Sequence, residues 1–414
     1  MLRLARFRQT FPRPLVADVR EEVWRQMRSL RLEERISPGT EVAVTAGSRG
    51  IASIAVILKE VAAFFRHLGA VPFFVSAMGS HGGGTAAGQK RVLQELGITE
   101  EEVGAPIRVT GEAVLVGEAQ GGAGAYCDAL ACRAGAIFVV NRVKPHTAFR
   151  GEIESGLWKM LAVGLGKAEG AAAVHRAGPA GMEHAIRGIA AVLMEKLPVV
   201  GGLAIIENGY DETAEIHALP SGELEREADL LKRAKALLPR LPVDELDLLI
   251  VDEMGKNISG TGMDVNVIGR WRIPGVKEPE APRVKRLVVL DLTEESEGNA
   301  NGIGLADVTT RRLVKKIDFQ ATYLNVATTG FLLRGMIPVT MENDREAVFF
   351  ALNSLHLEDP GAARVIRIKN TLRLDEFWAS PALEEELQAA GAQKIEPAGE
   401  PAFDPEGNLI REPE

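Results

Sequence analysis

A strand, a helix and a second strand follow one another directly near the start of the chain. Glu41–Thr45 and Val71–Val75 are short apolar runs typical of buried strands, and Ile51–Leu68 between them has the periodicity of a helix. A unit of this kind joins two parallel strands through a right-handed crossover. The pattern therefore predicts an α/β fold with a mostly parallel sheet.

Similar patterns recur along the rest of the chain and divide it into two regions. A length of 414 residues exceeds one ordinary core, so two domains are expected. The proline-bearing stretch 239–244 precedes a new apolar strand and predicts a boundary near residue 243. We expect an N-terminal α/β cofactor-binding domain over residues 1–243 and a C-terminal α/β domain over residues 244–414. A cofactor cleft is expected between them, and the tail from Pro397 is expected to run extended over the surface.

The remaining elements are predicted from the same two periodicities. In the first region the predicted strands are Ala113–Val116, Ala136–Val140 and Gly202–Ile206, and the predicted helices are Thr85–Leu96, Met182–Leu197 and Leu224–Leu238. In the second region the apolar segments are Leu246–Val251, Leu287–Leu292, Ala321–Val326, Ala347–Leu355 and Ala363–Ile368. These segments indicate a second α/β unit.

Composition and charge narrow the classes of partner. The net charge of −9 argues against nucleic acid or an anionic membrane as the main partner. No stretch approaches the roughly 18 apolar residues that a membrane helix needs. The two cysteines, Cys127 and Cys132, cannot form a disulfide framework, and they indicate free thiols in a cytoplasmic protein.

Three loops that follow predicted strands carry polar or glycine-rich sequences. Residues 46–50 hold Arg49, residues 78–85 hold His81 followed by three glycines, and residues 144–147 hold His146. In open parallel sheets, ligands gather at the carboxyl ends of the strands. Arg49 would offer a planar fork for a carboxylate or a phosphate. The sequence therefore predicts one binding site lined by these loops.

Two further residues complete the candidate chemistry. Lys159 and His175 lie sixteen residues apart in a segment interrupted by Gly164 and Gly166, and their convergence would need a turn around those glycines. Imidazoles suit proton transfer near neutral pH and also bind borderline metals. A lysine can form a covalent link to a cofactor if its amine is neutral, and partial burial favours the neutral form.

These residues resemble a known pattern. Pro145-His146, Ser155-Gly156, Lys159 and His175 are similar to the cofactor region of the nickel-dependent lactate racemase family, and the loops of His81 and Arg49 extend the match over most of the first domain. Where that pattern has an acidic residue three positions before the arginine, this chain has Ala46. Members of the family hold a nickel-pincer nucleotide, a pyridinium bis-thiocarboxylate mononucleotide that carries nickel.

The resemblance implies a role for each residue. Lys159 would carry the cofactor covalently, Ser155 and Gly156 would contact it, and His175 would ligate the nickel. His81 and His146 would be the acid/base catalysts. Arg49 would hold the substrate carboxylate, and Lys256, after a strand of the second domain, would be a further substrate-binding residue.

The function expected on this basis is racemisation or epimerisation of a 2-hydroxy acid by reversible hydride transfer. The partners would be this small molecule and cofactor-biosynthesis proteins. Two alternatives remain open from the sequence. In one, His81, His146 and His175 bind zinc or nickel directly and activate water for hydrolysis. In the other, the chain binds the cofactor without catalysis.

Overall fold

A computed structural model describes residues 2–411, and these residues form two compact units. One unit spans Pro12–Leu238. The other combines the residues up to Phe11 with those from Pro239 onward. In the part of the chain that the model describes, no helix is both long enough and apolar enough to cross a membrane.

The strands are β1 (Leu4–Arg8), β2 (Glu41–Ala46), β3 (Val71–Ser76), β4 (Ile107–Arg108), β5 (Ala113–Glu118), β6 (Gly124–Asp128), β7 (Ala136–Arg142), β8 (Val199–Glu207), β9 (Thr213–Pro220), β10 (Glu245–Val251), β11 (Arg283–Val289), β12 (Val308–Thr310), β13 (Val339–Met341), β14 (Val365–Ile368), β15 (Glu376–Ala379) and β16 (Gln393–Gly399).

The α-helices are α1 (Val19–Ser29), α2 (Ile54–His67), α3 (Ala86–Glu95), α4 (Glu100–Val103), α5 (Leu157–Lys159), α6 (Lys167–Arg176), α7 (Gly178–Lys196), α8 (Glu227–Leu237), α9 (Val265–Ile268), α10 (Arg311–Lys315), α11 (Phe319–Thr329), α12 (Asp344–Asn353) and α13 (Glu384–Ala389). A π-helix over Met160–Leu165, called the π segment below, joins α5 to α6.

The unit of residues 12–238 is built on a sheet in the order β4-β3-β2-β7-β8-β9. The strands from β4 to β8 are parallel, and β9 is antiparallel to β8. Helix α2 buries Ile57, Val61 and Phe65 in the same core as Phe74 and Phe138 of the sheet. Strands β5 and β6 form a separate antiparallel hairpin. The predicted strand at Ala113–Val116 therefore exists but lies outside the main sheet.

The other unit has a sheet in the order β13-β12-β11-β10-β14-β15-β1-β16. The part from β13 to β14 is parallel, and the remaining pairs are antiparallel. Its core includes Leu248, Val288 and Val348. Both main sheets are mostly parallel, which confirms the predicted α/β fold class.

The division of the chain differs from the prediction at its start. Residues 2–11, expected in the domain of residues 1–243, lie in the C-terminal unit because β1 pairs with β15 and β16. The boundary in the middle of the chain falls at Pro239, close to residue 243. The tail expected to be extended from Pro397 begins inside β16, and Leu409 further along is buried in the core of this unit.

Candidate active site

The candidate site lies at the point of the first sheet where the strand order reverses, between β2 and β7. Strands β3 and β4 lie on one side of β2, and β7 and β8 lie on the other. Ligands of open α/β sheets bind at such a switch point, beyond the carboxyl ends of the strands. Arg49 follows β2, and Lys144 and His146 follow β7. Two of the predicted loops therefore flank the switch point.

Lys159 and His175 lie on one helical stretch whose geometry changes in the middle. Helix α5 ends at Lys159 and continues into the π segment, and α6 begins after Gly166. Lys167, the first residue of α6, has a left-handed φ of 54°. π-Helical turns occur often at functional sites. The turn expected from the glycines is thus replaced by a change of helix type and one left-handed residue.

The π segment packs closely on the loops that follow β2 and β3. The Gly79 amide donates to the Gly164 carbonyl at 3.3 Å. A Cβ atom added to Gly47 would lie 3.1 Å from Met160 Cε, and one added to Gly79 would lie 3.4 Å from Val163 Cγ1. Small residues in the loops therefore allow the helix that carries Lys159 to approach the Arg49 and His81 loops.

The amine of Lys159 is half-buried among positive charges. Burial, and then the charges of Arg49 and Lys144, together lower the pKa of Lys159 to about 8. A neutral amine is the form that attacks an electrophilic cofactor. The surroundings of Lys159 thus favour the protonation state that covalent attachment requires.

His175 is neutral at physiological pH. Burial lowers its pKa to about 4, and the charge of Lys159 is the second cause, so the two side chains interact. Its Nδ1 atom is buried and has no hydrogen-bond partner among the described residues. A neutral imidazole with an unengaged ring nitrogen is a suitable ligand for nickel. The residue therefore fits the metal-binding role that the resemblance implies.

His81 connects its own loop to the Arg49 loop. The Ser48 hydroxyl and His81 Nδ1 form a hydrogen bond, and Ser48 precedes Arg49. The imidazole is half-buried. This contact brings the predicted acid/base histidine beside the predicted carboxylate-binding residue.

His146 is held by its own loop in one tautomer. Its ring stands against Phe149 with centroids 4.5 Å apart, and Nδ1 accepts the Ala148 amide at 3.1 Å. The neutral ring therefore carries its proton on Nε2. The His146 amide donates to Glu154 Oε2 at 2.7 Å, and Lys235 Nζ lies 2.6 Å from Glu154 Oε1. The buried Glu154 carboxylate thus organises the loop.

Arg49 stands in a positive region beside Arg142. Burial first, and then the charge of Arg142, lower the pKa of Arg49 to about 10. The residue nevertheless keeps an exposed surface, which favours the charged form, and it is protonated at neutral pH in either case. Arg142 forms an ion pair with Glu207, whose Oε1 accepts the Ala52 amide at 2.6 Å. Arg49 is thereby placed to bind an anion.

Ser155 joins the His146 loop to the helix that bears Lys159. Its amide donates to the Lys144 carbonyl at 3.2 Å, and the Lys144 amide donates to the Ser155 carbonyl at 2.9 Å. This pairing brings Lys144 near Lys159, in agreement with its effect on the pKa of that amine. Ser155 therefore lies at the site, four residues from the amine.

Gly156 is required by a neighbouring carboxylate. A Cβ atom here would lie 2.4 Å from the carboxyl carbon of Glu227. Glu227 is buried, and its Oε2 accepts the amide of Leu157 at the start of α5. Burial raises the pKa of Glu227 to about 8, which the hydrogen bonds from the Leu157 and Trp158 amides oppose. The absence of a side chain at Gly156 thus leaves room for the carboxylate that holds the start of α5.

Lys256 lies in the other unit, in a local network. Its amide donates to Ser296 Oγ at 2.9 Å. Its Nζ donates to the Gly260 carbonyl at 2.8 Å and to Asn325 Oδ1. Its predicted role in substrate binding stays a prediction.

Several residues of the site were not found from the sequence. Glu154 contacts the His146 loop, and Glu227 contacts α5. Lys167, the first residue of α6, forms a buried ion pair with Asp128, the last residue of β6. No spacing rule identifies them, because Glu227, Lys167 and Asp128 act on partners distant in sequence, and Glu154 binds main-chain amides of the nearby loop. The only signal was the occurrence of charged residues inside otherwise apolar segments.

The alternative of direct metal binding by three histidines finds no ligand set within residues 2–411. No group of three or more His, Cys, Asp or Glu side chains there is close enough to hold a metal ion. The two cysteines are free, as expected.

Comparisons with known proteins indicate the fold. The search found no matching family model and no curated protein related in sequence. The structure of the lactate racemase apoprotein from Thermoanaerobacterium thermosaccharolyticum is similar, with a TM-score of 0.53 over 88% of this chain and 94% of that chain. The sequence identity is 11%, so the likeness is one of fold. The glycotransferase of kitacinnamycin, at 12% identity over 86% of this chain and 94% of that chain, has a TM-score of 0.21.

Proposed function

We propose that this protein is a racemase or epimerase of 2-hydroxy acids that uses a nickel-pincer nucleotide attached to Lys159. The observation that carries the proposal is the pair formed by Lys159 and His175. Each is in the state that its proposed role requires. The Lys159 amine has a lowered pKa, and the His175 imidazole is neutral with a ring nitrogen that makes no hydrogen bond. The likeness in fold to a lactate racemase apoprotein supports it.

The residues at the site fit such a cofactor. Lys159 offers the amine for the covalent link, and His175 offers a ligand for nickel. Arg49 and Lys144 supply positive charge near the amine, which suits the phosphate of a mononucleotide or the carboxylate of a substrate. When bound to Lys159, the cofactor would supply a reversible hydride acceptor, a chemistry that no side chain offers.

The chain itself would orient the substrate and move its hydroxyl proton. Arg49 would bind the carboxylate, since a guanidinium matches two carboxylate oxygens. His81, held by Ser48 through Nδ1, would take the hydroxyl proton, and His146, with its proton on Nε2, would return one; the two residues would exchange these roles for the other enantiomer. The partners in this proposal are a small 2-hydroxy acid and the biosynthesis proteins that deliver the cofactor. The proposed location is the cytoplasm.

The first test is the mass of the protein. Co-expression with a pincer-nucleotide biosynthesis system should add the mass of the cofactor to Lys159 and should leave Lys159→Ala unmodified. The loaded protein is then incubated with enantiopure 2-hydroxy acids, and the loss of optical purity is followed. An unmodified Lys159 in nickel-replete, cofactor-saturated protein would refute the proposal.

Two classes of variant separate the roles. His81→Ala and His146→Ala should keep the added mass and the nickel but lose activity by about 10²–10⁴-fold, because proton transfer contributes that much. His175→Ala should chiefly lower the nickel content, measured by elemental analysis. A loaded protein that never exchanges the substrate Cα hydrogen would instead indicate a binding protein without catalysis.

A further inference from the structure

A buried ammonium lies between the parts of the candidate site. Lys167 is 1% exposed, and its Nζ atom lies 2.7 Å from Asp128 Oδ2. The same atom donates to the Ser76 carbonyl at 2.5 Å, to Ser76 Oγ at 2.8 Å and to Gln89 Oε1 at 3.1 Å. Burial lowers the pKa of Lys167, and the Asp128 carboxylate opposes this effect. The ammonium is thus fully coordinated by oxygen atoms.

Gln89 links the Lys167 ammonium to the His81 loop. It is completely buried, and its Nε2 donates to the Gly79 carbonyl at 2.9 Å and to the His81 carbonyl at 3.3 Å. Because Oε1 accepts from Lys167 and from Ser76 Oγ, the orientation of the amide is determined at both ends. The His81 main chain is therefore tied to the Lys167 ammonium through one side chain.

The position of Lys167 in the chain gives this network its meaning. It lies eight residues after Lys159 and eight before His175. Its φ of 54° is unusual for a residue with a side chain, and such a conformation persists only where the surroundings enforce it. The coordination of the ammonium provides this enforcement, at the point where the π segment gives way to α6.

We propose that Lys167 is a positioning residue that holds the His81 loop against the helical stretch carrying Lys159 and His175. The consequence of its loss for catalysis rests on the proposed function, but the positioning itself does not. A buried ion pair is seldom needed for stability, since apolar residues of similar volume often replace such pairs without loss. The Lys167–Asp128 pair is linked through Gln89 to the His81 carbonyl, and this link gives it a role in placement.

The test uses the full chain without cofactor. Histidine is labelled with ¹⁵N, and the His81 signal is assigned by its absence in His81→Ala. Lys167→Met leaves the Asp128 charge unpaired, so the double variant Lys167→Met/Asp128→Asn is made as well. Asparagine keeps the Oδ1 atom that accepts the Leu130 and Ala131 amides. If the single variant fails to fold, the double variant carries the test.

The matched control is the double variant Arg367→Met/Asp252→Asn. This pair is also buried, with two contacts of 2.8 Å, but it lies in the C-terminal unit. We expect the His81 signal and its titration to shift in the Lys167 variants and to stay unchanged in the control, even where both lose similar thermal stability.

Loaded Lys167 variants should lose at least about tenfold in kcat with less change in KM, and restored stability in the double variant should not restore kcat. An unchanged His81 signal in the folded double variant overturns the positioning role. A shifted signal in a chain that never racemises a substrate would uphold the positioning role while refuting the proposed function.

Discussion

Lys159 illustrates how neighbours change the chemistry of a single residue. Its amine lies among Arg49, Lys144 and His175, and burial is the larger cause of its lowered pKa. Each cation raises the free energy of a second positive charge nearby. The same crowding that favours a neutral amine also favours the binding of an anion, which would in turn raise the pKa of Lys159 again.

The reactivity of Lys159 towards acetic anhydride should follow this lowered pKa. With a pKa of about 8 instead of 10.5, its neutral fraction at pH 7 exceeds that of an ordinary lysine by roughly two orders of magnitude. Labelling between pH 6 and 11, followed by peptide mass spectrometry, should give a midpoint near 8. Lys232, whose pKa the Asp229 carboxylate raises, is the matched control.

Arg49→Gln provides the second arm of this measurement. It removes one cation and keeps most of the burial, so the midpoint for Lys159 should rise part of the way towards 10.5. A midpoint that does not move would show that Arg49 has no electrostatic effect on the amine.

For single residues, the sequence predicted the candidate site residues themselves but not the residues that hold them in place. Arg49, His81, His146, Lys159 and His175 could be proposed because loops after strands and a resemblance singled them out. Glu227 acts on an amide 70 residues away, and Lys167 on a carbonyl 91 residues away. No local pattern contains such contacts.

Helix α5 shows how a short element can be fixed by a distant carboxylate. It spans three residues and continues directly into the π segment, so it is the first turn of a longer helical stretch. Glu227 of α8 accepts the first amide of α5 and occupies the space beside Gly156. The orientation of the helix that ends in Lys159 therefore depends on α8.

Gly156→Ala should test this dependence. The new Cβ would clash with the Glu227 carboxylate, and overpacking of this kind costs about 1–3 kcal/mol of unfolding free energy. Thermal and urea unfolding measure the loss. Glu227→Asp, with a shorter side chain, should relieve part of it in the double variant.

Gly222→Ala is the control for this change, because no atom lies within 4 Å of its added Cβ. We expect nearly unchanged stability for that variant. Equal losses in Gly156→Ala and Gly222→Ala would contradict the role given to Glu227.

The elements themselves were largely predictable, because apolar runs and helical periodicity are local properties. The strands at β2, β3 and β7 lie where the sequence predicted them. The π segment was not predictable, since its wider turns arise from packing on the loops after β2 and β3 rather than from its own residues. The strand at Ala113–Val116 was predicted, but its pairing with β6 in a separate hairpin was not.

The C-terminal unit includes a strand from the start of the chain. β1 lies between β15 and β16, and its Phe7 is fully buried and stacks on Phe377 at 5.9 Å. Arg6 forms ion pairs with Glu376 and Glu396. The sequence could not reveal this placement, because the partners lie more than 360 residues further along.

Phe7→Ala should destabilise the C-terminal unit by about 3–5 kcal/mol, because it removes a large buried ring. Hydrogen exchange should become faster in β15 and β16 and remain unchanged in β2 and β3, which belong to the other unit. Leu15→Ala is the control, since Leu15 is 57% exposed. Faster exchange throughout both sheets would contradict the assignment of β1 to one unit.

The placement of β1 also sets an order of events during synthesis on the ribosome. Domains generally fold as they emerge, so residues 12–238 can acquire their structure while the rest is still being translated. Leu4 and Phe7 are made before residues 12–238, and they must wait for β15 and β16, which are made after those residues. Until then their apolar side chains are exposed and can bind chaperones. In a polypeptide released before β15 is made, these side chains would stay exposed.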